Sequence, residues 1–600
     1  MNMLADLTRS PSVRDQGRYI LRRVADGLLR EDYRGLAREG QLIEAIDAPF
    51  FDANFASATH YIFWSAPDGS DLYLPVEPDG FMQPWRIADL PIIRIAKQTM
   101  RPVDSVTELL EIVGAGLGEE DSANLTAYLA ECHAAIEQGA ICARVHGRDA
   151  PADRLIADHP QWHRAMLDND RRASFADHPF YPTARAKLGF EAQDLIAYGP
   201  EYRRGFPLAW LALPKDGLAD QGETPSVWPS FTDVGLDPTL GGTHRLIPFH
   251  PFMRGERIEQ ILAEAGLSNT AQIAPLDHLD VVPTLSVRAV AVVEEPSLHL
   301  KLPLAISTLG RLNLRAIKPS TINDGHVVQS LLGEIIASDS ALDGRLLLTD
   351  ESGGGCHSDH CFLAYIIRRY PTGLDGMEPV PVAALMAMAE DGRPFAAHLI
   401  DRYYDGDSDA FLEALGDLLL GIHLRLAAGY GIALEANQQN SILLFSRDKG
   451  LRLLLKDNDG PRIDGPTLRF CYPDAGAWLD RLQDARIASA DPGSVAQMLI
   501  TITLQLNLGF VAEGLARTAE ERQRYRAKLR AAVERHLAAL RSEGMDVADL
   551  RAALLDSSHF PIKYLLRAAS LETRAATGAA DVNKFYGQSA PNFLAATTRP

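Results

Sequence analysis

The chain has 600 residues, of which 46% are hydrophobic and 23% charged, and it carries a formal net charge of -20 at pH 7. This is the composition of a globular protein with material for several cores, and so acidic a chain lacks the broad basic face that duplex nucleic acid demands. A local basic pocket for an anionic nucleotide remains open.

The five cysteines are odd in number and include no CxxC pair, which reads as reduced thiols rather than a disulfide framework or a zinc site. Met1 to Gly17 is polar and unlike a signal peptide. No window approaches the roughly 18 unbroken apolar residues of a membrane helix. A cytoplasmic protein with no membrane or nucleic-acid partner is expected.

Residues 1–150 are mostly helical in pattern, with apolar residues at helical spacing over 21–29 and 106–136. Short extended pieces interrupt them at 60–64 and 72–76. From 176 to 310, β-rich runs at 208–213, 246–249, 281–293 and 298–306 alternate with turns, and 216–243 reads as a long loop. Helical periodicity returns over 327–336, 361–369 and 410–430. A hairpin follows, with strands 441–445 and 451–455 about a turn at 446–450. Helices then run over 495–515, 522–543 and 564–571. The fold class is α+β, antiparallel sheet segments packed with large helical sections. It divides into a mainly helical part (1–175), a β-rich part (176–375) and a mainly helical part carrying the hairpin (376–600).

Four stretches hold candidate chemistry. In Asp177-His-Pro-Phe-Tyr-Pro-Thr-Ala-Arg-Ala-Lys-Leu-Gly-Phe190, prolines keep the chain extended and place His178, Thr183, Arg185 and Lys187 together. Arg185 and Lys187 are two apart and point the same way, a cationic comb for phosphate; the plainer alternative is a surface loop. Thr284, Ser286 and Arg288 alternate with Leu285 and Val287, so a strand would put them on one face, suited to an anion or simply solvated. Lys301 sits among apolar residues, and Ser307, Thr308 and Arg311 follow it. His250 reads as a core histidine. Finally, Asn440 enters and Asp457 leaves the hairpin, so both stand at its open end. Glu435, Gln438 and Gln439 lie just upstream. Glu435, Asn440 and Asp457 are hard oxygen donors suited to Mg²⁺; turn capping is the alternative for the pair.

The order of these motifs resembles the IucA/IucC family of NRPS-independent siderophore (NIS) synthetases. The family pattern HPxHPxxKxRxGF matches His178 to Phe190, and "PVHPWQ" resembles Pro248 to Met253. "TxSxRT" matches Thr284, Ser286 and Arg288, and "KLxxxIxxTSxxR" resembles Lys301 to Arg311. "EAHGQN" and "RD" match Glu435 to Asn440 and Lys456-Asp457, and "KALLxMRL" resembles Lys563 to Ala568. The resemblance implies a cupped-hand architecture of thumb, fingers and palm, often dimeric, so a homodimer is expected. It implies adenylation of a carboxylate of citrate, a citrate derivative or 2-oxoglutarate with Mg²⁺ and ATP, then condensation with an amine, hydroxylamine or alcohol. By resemblance His178, Thr183, Arg185, Lys187, Thr284, Ser286, Arg288, Lys301, Arg368, Asn440 and Asp457 serve the nucleotide, with Glu435 beside the last two for metal. Ser307, Thr308, Arg311, Asn437, Gln439 and Lys563 serve the acid, and Arg288, Lys301 and Arg311 carry the chemistry.

Several positions depart from the family pattern. Tyr181 replaces its second histidine, Arg185 and Lys187 are exchanged, and the spacing after Lys301 is two residues tighter. Phe252 and Met253 replace Trp and Gln, and Asn437 and Gln438 replace His and Gly. Asn437 cannot carry positive charge, which points to a different acid or reduced activity. A non-catalytic nucleotide- or siderophore-binding paralogue therefore stays open. A ferric-siderophore reductase would need a cysteine cluster near the C-terminus, and the last cysteine is Cys471.

Overall fold

The computed structural model describes residues 13–50, 58–145, 161–573 and 585–595. Most of the polar N-terminal stretch, residues 1–12, lies outside them. The extended pieces at 60–64 and 72–76 are the centre of an antiparallel sheet built from six short strands between Gln41 and Pro102. Helix Val13–Arg30 lays Ile20, Leu21, Val24 and Leu28 into the core shared with that sheet, the three-to-four spacing of an amphipathic helix. Helices Val106–Val113 and Glu119–Ala143 complete this region.

The second sheet has nine strands, all paired antiparallel, between Phe206 and Arg369. Its core is apolar on the strands themselves: Leu208, Trp210, Val281, Val290, Leu298 and Leu300 are each 0% exposed. Two sequence expectations are corrected here. The 361–369 stretch is strand Ala364–Arg369 rather than helix, because a short buried run with β-branched Ile366 and Ile367 carries no period that separates the two. The 281–293 run is two strands, His278–Pro283 and Ala289–Val292, joined by a turn. Val287 in that turn has φ 64°, a left-handed conformation that a β-branched residue adopts only when its surroundings enforce it.

The third sheet has four strands, Leu346–Leu348, Arg452–Leu455, Ser441–Phe445 and Glu378–Pro381 in spatial order. Ser441 pairs with Leu455, so Asn440 and Asp457 leave the ladder at the same end. The sheet shares the largest core with helices Pro319–Ser338, Ser408–Tyr430 and Ala519–Ser542. Among the described residues one helical stretch, Pro492–Leu515, is long and apolar enough to cross a membrane, and 83% of its most apolar window is buried inside the fold. Leu499–Gly509 within it is π-helical, a geometry frequent at functional sites.

Candidate functional site

A cavity of about 430 Å³ opens where the 284–288 turn, strand Leu298–Lys301, the hairpin mouth and the π-helical segment converge. Asp457 lines it with φ 57°, a left-handed position that aspartate tolerates. Its carboxylate accepts from Lys301 Nζ and lies 2.8 Å from Arg368 Nη2. Its backbone N–H donates to Glu351 Oε1 at 2.8 Å, and Arg368 Nε donates to the same oxygen at 2.8 Å. Burial alone would raise the Asp457 carboxyl, but the guanidinium of Arg368 and the ammonium of Lys301 outweigh it and hold it well below the usual range. Asp459 lies 3.8 Å from Lys301 Nζ. Burial pushes its carboxyl up, and the charge on Asp457 adds to the rise.

Facing these carboxylates is an excess of cation. Arg288 donates through Nη1 to Ala316 O at 2.6 Å, and its Nε is buried without a partner. Burial lowers its pKa, and the charge on Arg368 adds to that. Arg315 is lowered to about 9 by burial and then by Arg288 beside it. Among the described residues, neither guanidinium has a carboxylate within salt-bridge distance. Two half-buried guanidiniums, one depressing the other, suit an anion.

The 178–190 segment works differently from the expected comb. Arg185 Nε donates to Asp177 at 2.9 Å, and Lys187 Nζ is buried against Glu201 at 2.7 Å. Each cation is neutralised by its own carboxylate, so the pair holds the segment in place, although both residues line the cavity. His178 Nδ1 accepts the backbone N–H groups of Phe180 and Tyr181, both at 3.2 Å. That leaves the ring proton on Nε2, and burial lowers the imidazole pKa to about 3. His178 is thus a neutral hydrogen-bond donor in the cavity wall. Thr183 lies outside the cavity lining, buried and donating to Glu131 Oε1 at 2.7 Å.

The turn at 284–288 replaces the expected strand face. Thr284 Oγ1 donates to Ala289 O at 2.7 Å and closes the turn instead of facing a ligand. Ser286 and Arg288 reach the cavity. Further on, Ser307 Oγ donates to Arg311 O at 2.9 Å, and the exposed Arg311 side chain reaches Asn124 at 3.0 Å. Arg311 is therefore outside the cavity lining, while Thr308 and Arg315 are in it. Leu309 at φ 56° and Gly310 at φ 102° turn the chain between them.

At the hairpin mouth Asn437 Oδ1 accepts the N–H groups of Gln439 (3.0 Å) and Asn440 (3.1 Å), an Asx-type turn. Gln439, Asn440, Glu435 and Lys563 line the cavity, with Lys563 Nζ 3.7 Å from Glu435. Gln438 also lines it, its amide committed to Leu506 O at 2.7 Å. Arg368, 1% exposed, lies behind Asp457 rather than in the wall. Among the described residues no group of three His, Cys, Asp or Glu side chains is placed to hold a metal by itself. The oxygen donors of Asp457, Asp459, Asn440 and Glu435 suit a hard cation that shares phosphate ligands, and the Arg288–Arg315–Lys301 cations suit the phosphates. Sequence reasoning missed Arg315, Asp459 and Glu351. The first had a signal, since Arg311, Asn313 and Arg315 alternate with Leu312 and Leu314.

The family model described as IucA / IucC family matches residues 171–387, and that described as ferric iron reductase FhuF-like transporter matches 409–579. An uncharacterised protein, y4xN, of Sinorhizobium fredii is 31% identical over 345 residues, 51% of this chain and 53% of that one. Staphyloferrin B synthase of Staphylococcus aureus is 24% identical over 357 residues, 56% of this chain and 60% of that one. The chain thus spans little more than half the length of these relatives. The petrobactin biosynthesis protein AsbB of Bacillus anthracis superposes with a TM-score of 0.75 at 19% identity, covering 99% of this chain and 98% of that one. The ATP-bound aerobactin synthetase IucA of Klebsiella pneumoniae superposes at 0.64 and 16% identity, covering 96% and 99%. The chain thus carries an IucA/IucC-family region at 171–387 and an FhuF-like region after it, on the fold of the NIS synthetases.

Proposed function

We propose that the chain is an ATP-dependent ligase of siderophore biosynthesis that adenylates a carboxylate of citrate or a citrate derivative and condenses it with an amine, hydroxylamine or alcohol. The observation that carries this reading is the half-buried pair Arg288 and Arg315, which has no carboxylate within salt-bridge distance among the described residues and stands in one cavity with Lys301, Asp457 and Asp459. A relative of the same fold described as ATP-bound supports the nucleotide. Relatives described as synthases support the reaction class.

A carboxylate oxygen of the acid bonds to the α-phosphorus, the bond to the β-phosphate breaks, and pyrophosphate leaves with that electron pair. The amine nitrogen then bonds to the acyl carbon, the C–O bond to the phosphate breaks, AMP leaves, and the nitrogen's surplus proton passes to water. Arg288 and Lys301 stabilise charge growing on the α-phosphate. His178 donates from Nε2, and Arg315, Gln439 and Lys563 orient the acid. Asp457, Asp459, Asn440 and Glu435 would hold Mg²⁺, which supplies further charge neutralisation. A homodimer belongs to the same proposal.

The test is acid-dependent pyrophosphate release from ATP across citrate, citryl monoamides and 2-oxoglutarate, with and without amines. AMP and pyrophosphate are expected; ADP and phosphate as products would sink the adenylation step. A reductase reading of the FhuF-like region lacks ligands, since 409–579 contains one cysteine, Cys471, against the four thiolates of a typical cluster. The non-catalytic reading rests on Asn437, whose oxygen is committed to the turn it caps, and nucleotide binding without pyrophosphate release would favour it.

A further inference from the structure

Helix Trp162–Ser174 ends beside the reaction cavity, where Ala173 and Ser174 line it. Successive residues of a helix point about 100° apart, and three of them here fasten the helix to three separate segments. Asn169, 1% exposed, donates through Nδ2 to Pro379 O at 2.9 Å, on the sheet that carries the hairpin. Arg171 donates through Nε to Glu201 O at 2.8 Å. Between them Asp170, 2% exposed, reaches the 284–288 turn, where its Oδ2 accepts the backbone N–H of Leu285 at 3.2 Å. Asp170 itself lies outside the cavity lining.

The turn is closed tightly on itself. The N–H and Oγ1 of Thr284 both donate to Ala289 O, at 3.1 and 2.7 Å, and Val287 N–H donates to Thr284 O at 2.9 Å. Arg288 N–H donates to Ser286 O at 2.7 Å, a bond across two residues with Val287 between them at φ 64°. A turn of that kind is strained and persists only where its surroundings enforce it. Ser286 and Arg288, which flank Val287, are the residues that reach the cavity, so their direction depends on how the turn is held. The bond from Asp170 holds it from outside, one residue before Ser286. Burying a carboxylate there is costly: its Oδ1 is buried with no hydrogen-bond partner. Burial raises the Asp170 pKa, opposed first by the charge on Lys456 and then by the Leu285 N–H. Lys456, 2% exposed, is the residue just before Asp457. A charged acceptor in return bonds an N–H more strongly than a neutral one.

We propose that Asp170 is a positioning residue for the nucleotide: through the Leu285 N–H it sets the 284–288 turn so that Ser286 and Arg288 meet the phosphates, while it touches no substrate itself. The inference rests on the nucleotide half of the synthetase reading and adds a residue behind the cavity on which the placement of Arg288 depends.

The experiment follows ATP binding by calorimetry with Mg²⁺ present, and acid-dependent pyrophosphate release, in the wild type, Asp170→Ala, Asp170→Asn, Arg288→Ala and the double variant Asp170→Ala/Arg288→Ala. Asp170→Ala should raise the Kd for ATP at least tenfold and change the acid KM, at saturating ATP, less than twofold. Asp170→Asn, which keeps an oxygen for Leu285, should stay within threefold of the wild type. Beside Arg288→Ala, the loss of Asp170 should add less than twofold, because no guanidinium is left for the turn to place. A merely structural role would repeat its full loss there. If Asp170→Ala does not fold, Asp170→Leu with Lys456→Met takes its place with the same expectations, since it exchanges both buried charges for apolar groups. Unchanged ATP affinity, equal losses for ATP and acid, an Asp170→Asn variant as weak as Asp170→Ala, or a fully additive loss beside Arg288→Ala overturns the proposal. Absence of pyrophosphate release in a wild type that binds ATP fails the ligase reading alone, and the binding cycle then decides Asp170. A wild type that binds no ATP overturns both.

Discussion

Arg315 and Arg288 stand together in the wall of one cavity, where burial and then the charge on Arg288 lower the affinity of Arg315 for its proton. Arg311, the arginine that the motif spacing selects, points instead to Asn124 on the outside of the fold. Arg315→Ala should therefore raise the KM for the acid or for ATP at least tenfold, whereas Arg311→Ala should change either by less than threefold. Steady-state pyrophosphate release separates the two. The reverse order would return the acid to the position the motif indicates.

Asp457 is the shared partner of Lys301 and Arg368, and Arg368 is almost fully buried. Removing one member of a buried ion pair typically costs about 3–5 kcal/mol, because the other charge is left uncompensated. Asp457→Ala should lower stability by about that much in urea melts and abolish pyrophosphate release. Asp457→Asn, which keeps the shape, should fold better and still lose at least a hundredfold in rate. Full activity in both would remove the hairpin from the chemistry.

His178 has a folded pKa of about 3 against an ordinary 6.5. The unfolded chain takes up a proton below pH 6.5 that the folded ring refuses, so this group's contribution is lost as pH falls through 6.5 towards 3. The slope is about 1.4 kcal/mol per pH unit for one proton. His178→Asn should remove that slope from the difference between wild-type and variant stability, measured by denaturant titration from pH 7 to 4.5. The ring's nitrogen resonances in the wild type should not move between pH 8 and 5.

Gly310 has φ 102°, and a Cβ there would lie 2.8 Å from Ala569 Cβ and 2.9 Å from Ala569 O. Both the backbone conformation and the close approach exclude a side chain. Gly310→Ala should cost about 1–3 kcal/mol and, by shifting the segment that carries Thr308 and Arg315, raise the KM for the acid. A variant with unchanged melting and kinetics would show that this segment adjusts freely.

Long periodic helices such as Ser408–Tyr430 and the Ser441–Leu455 hairpin were legible in the sequence, because each repeats its pattern over enough residues to fix a period. The 284–288 turn was not, since alternation of polar and apolar residues looks the same in a strand and in a turn that Thr284 closes on Ala289. Strand Ala364–Arg369 was missed for want of length. At the site, residue types foretold cations near a hairpin mouth. Which cations are free was hidden, because Arg185 and Lys187 meet Asp177 and Glu201 through folding rather than spacing that marks a pair. Arg315 escaped because Arg311 lies within the turn that Leu309 and Gly310 open, whereas Arg315 lies past it, where the chain returns to Ile306.

The boundary between the two matched regions, 171–387 and 409–579, falls across the Asp457 ion pairs. Lys301, Arg368 and Glu351 come from the first region, and Asp457 comes from the second. A gene split between them would yield one fragment with surplus buried cations and another with a carboxylate lacking its counter-charges. Each half would then act as the missing ligand of the other, and co-expressed halves would be selected to reassociate through the reaction centre itself.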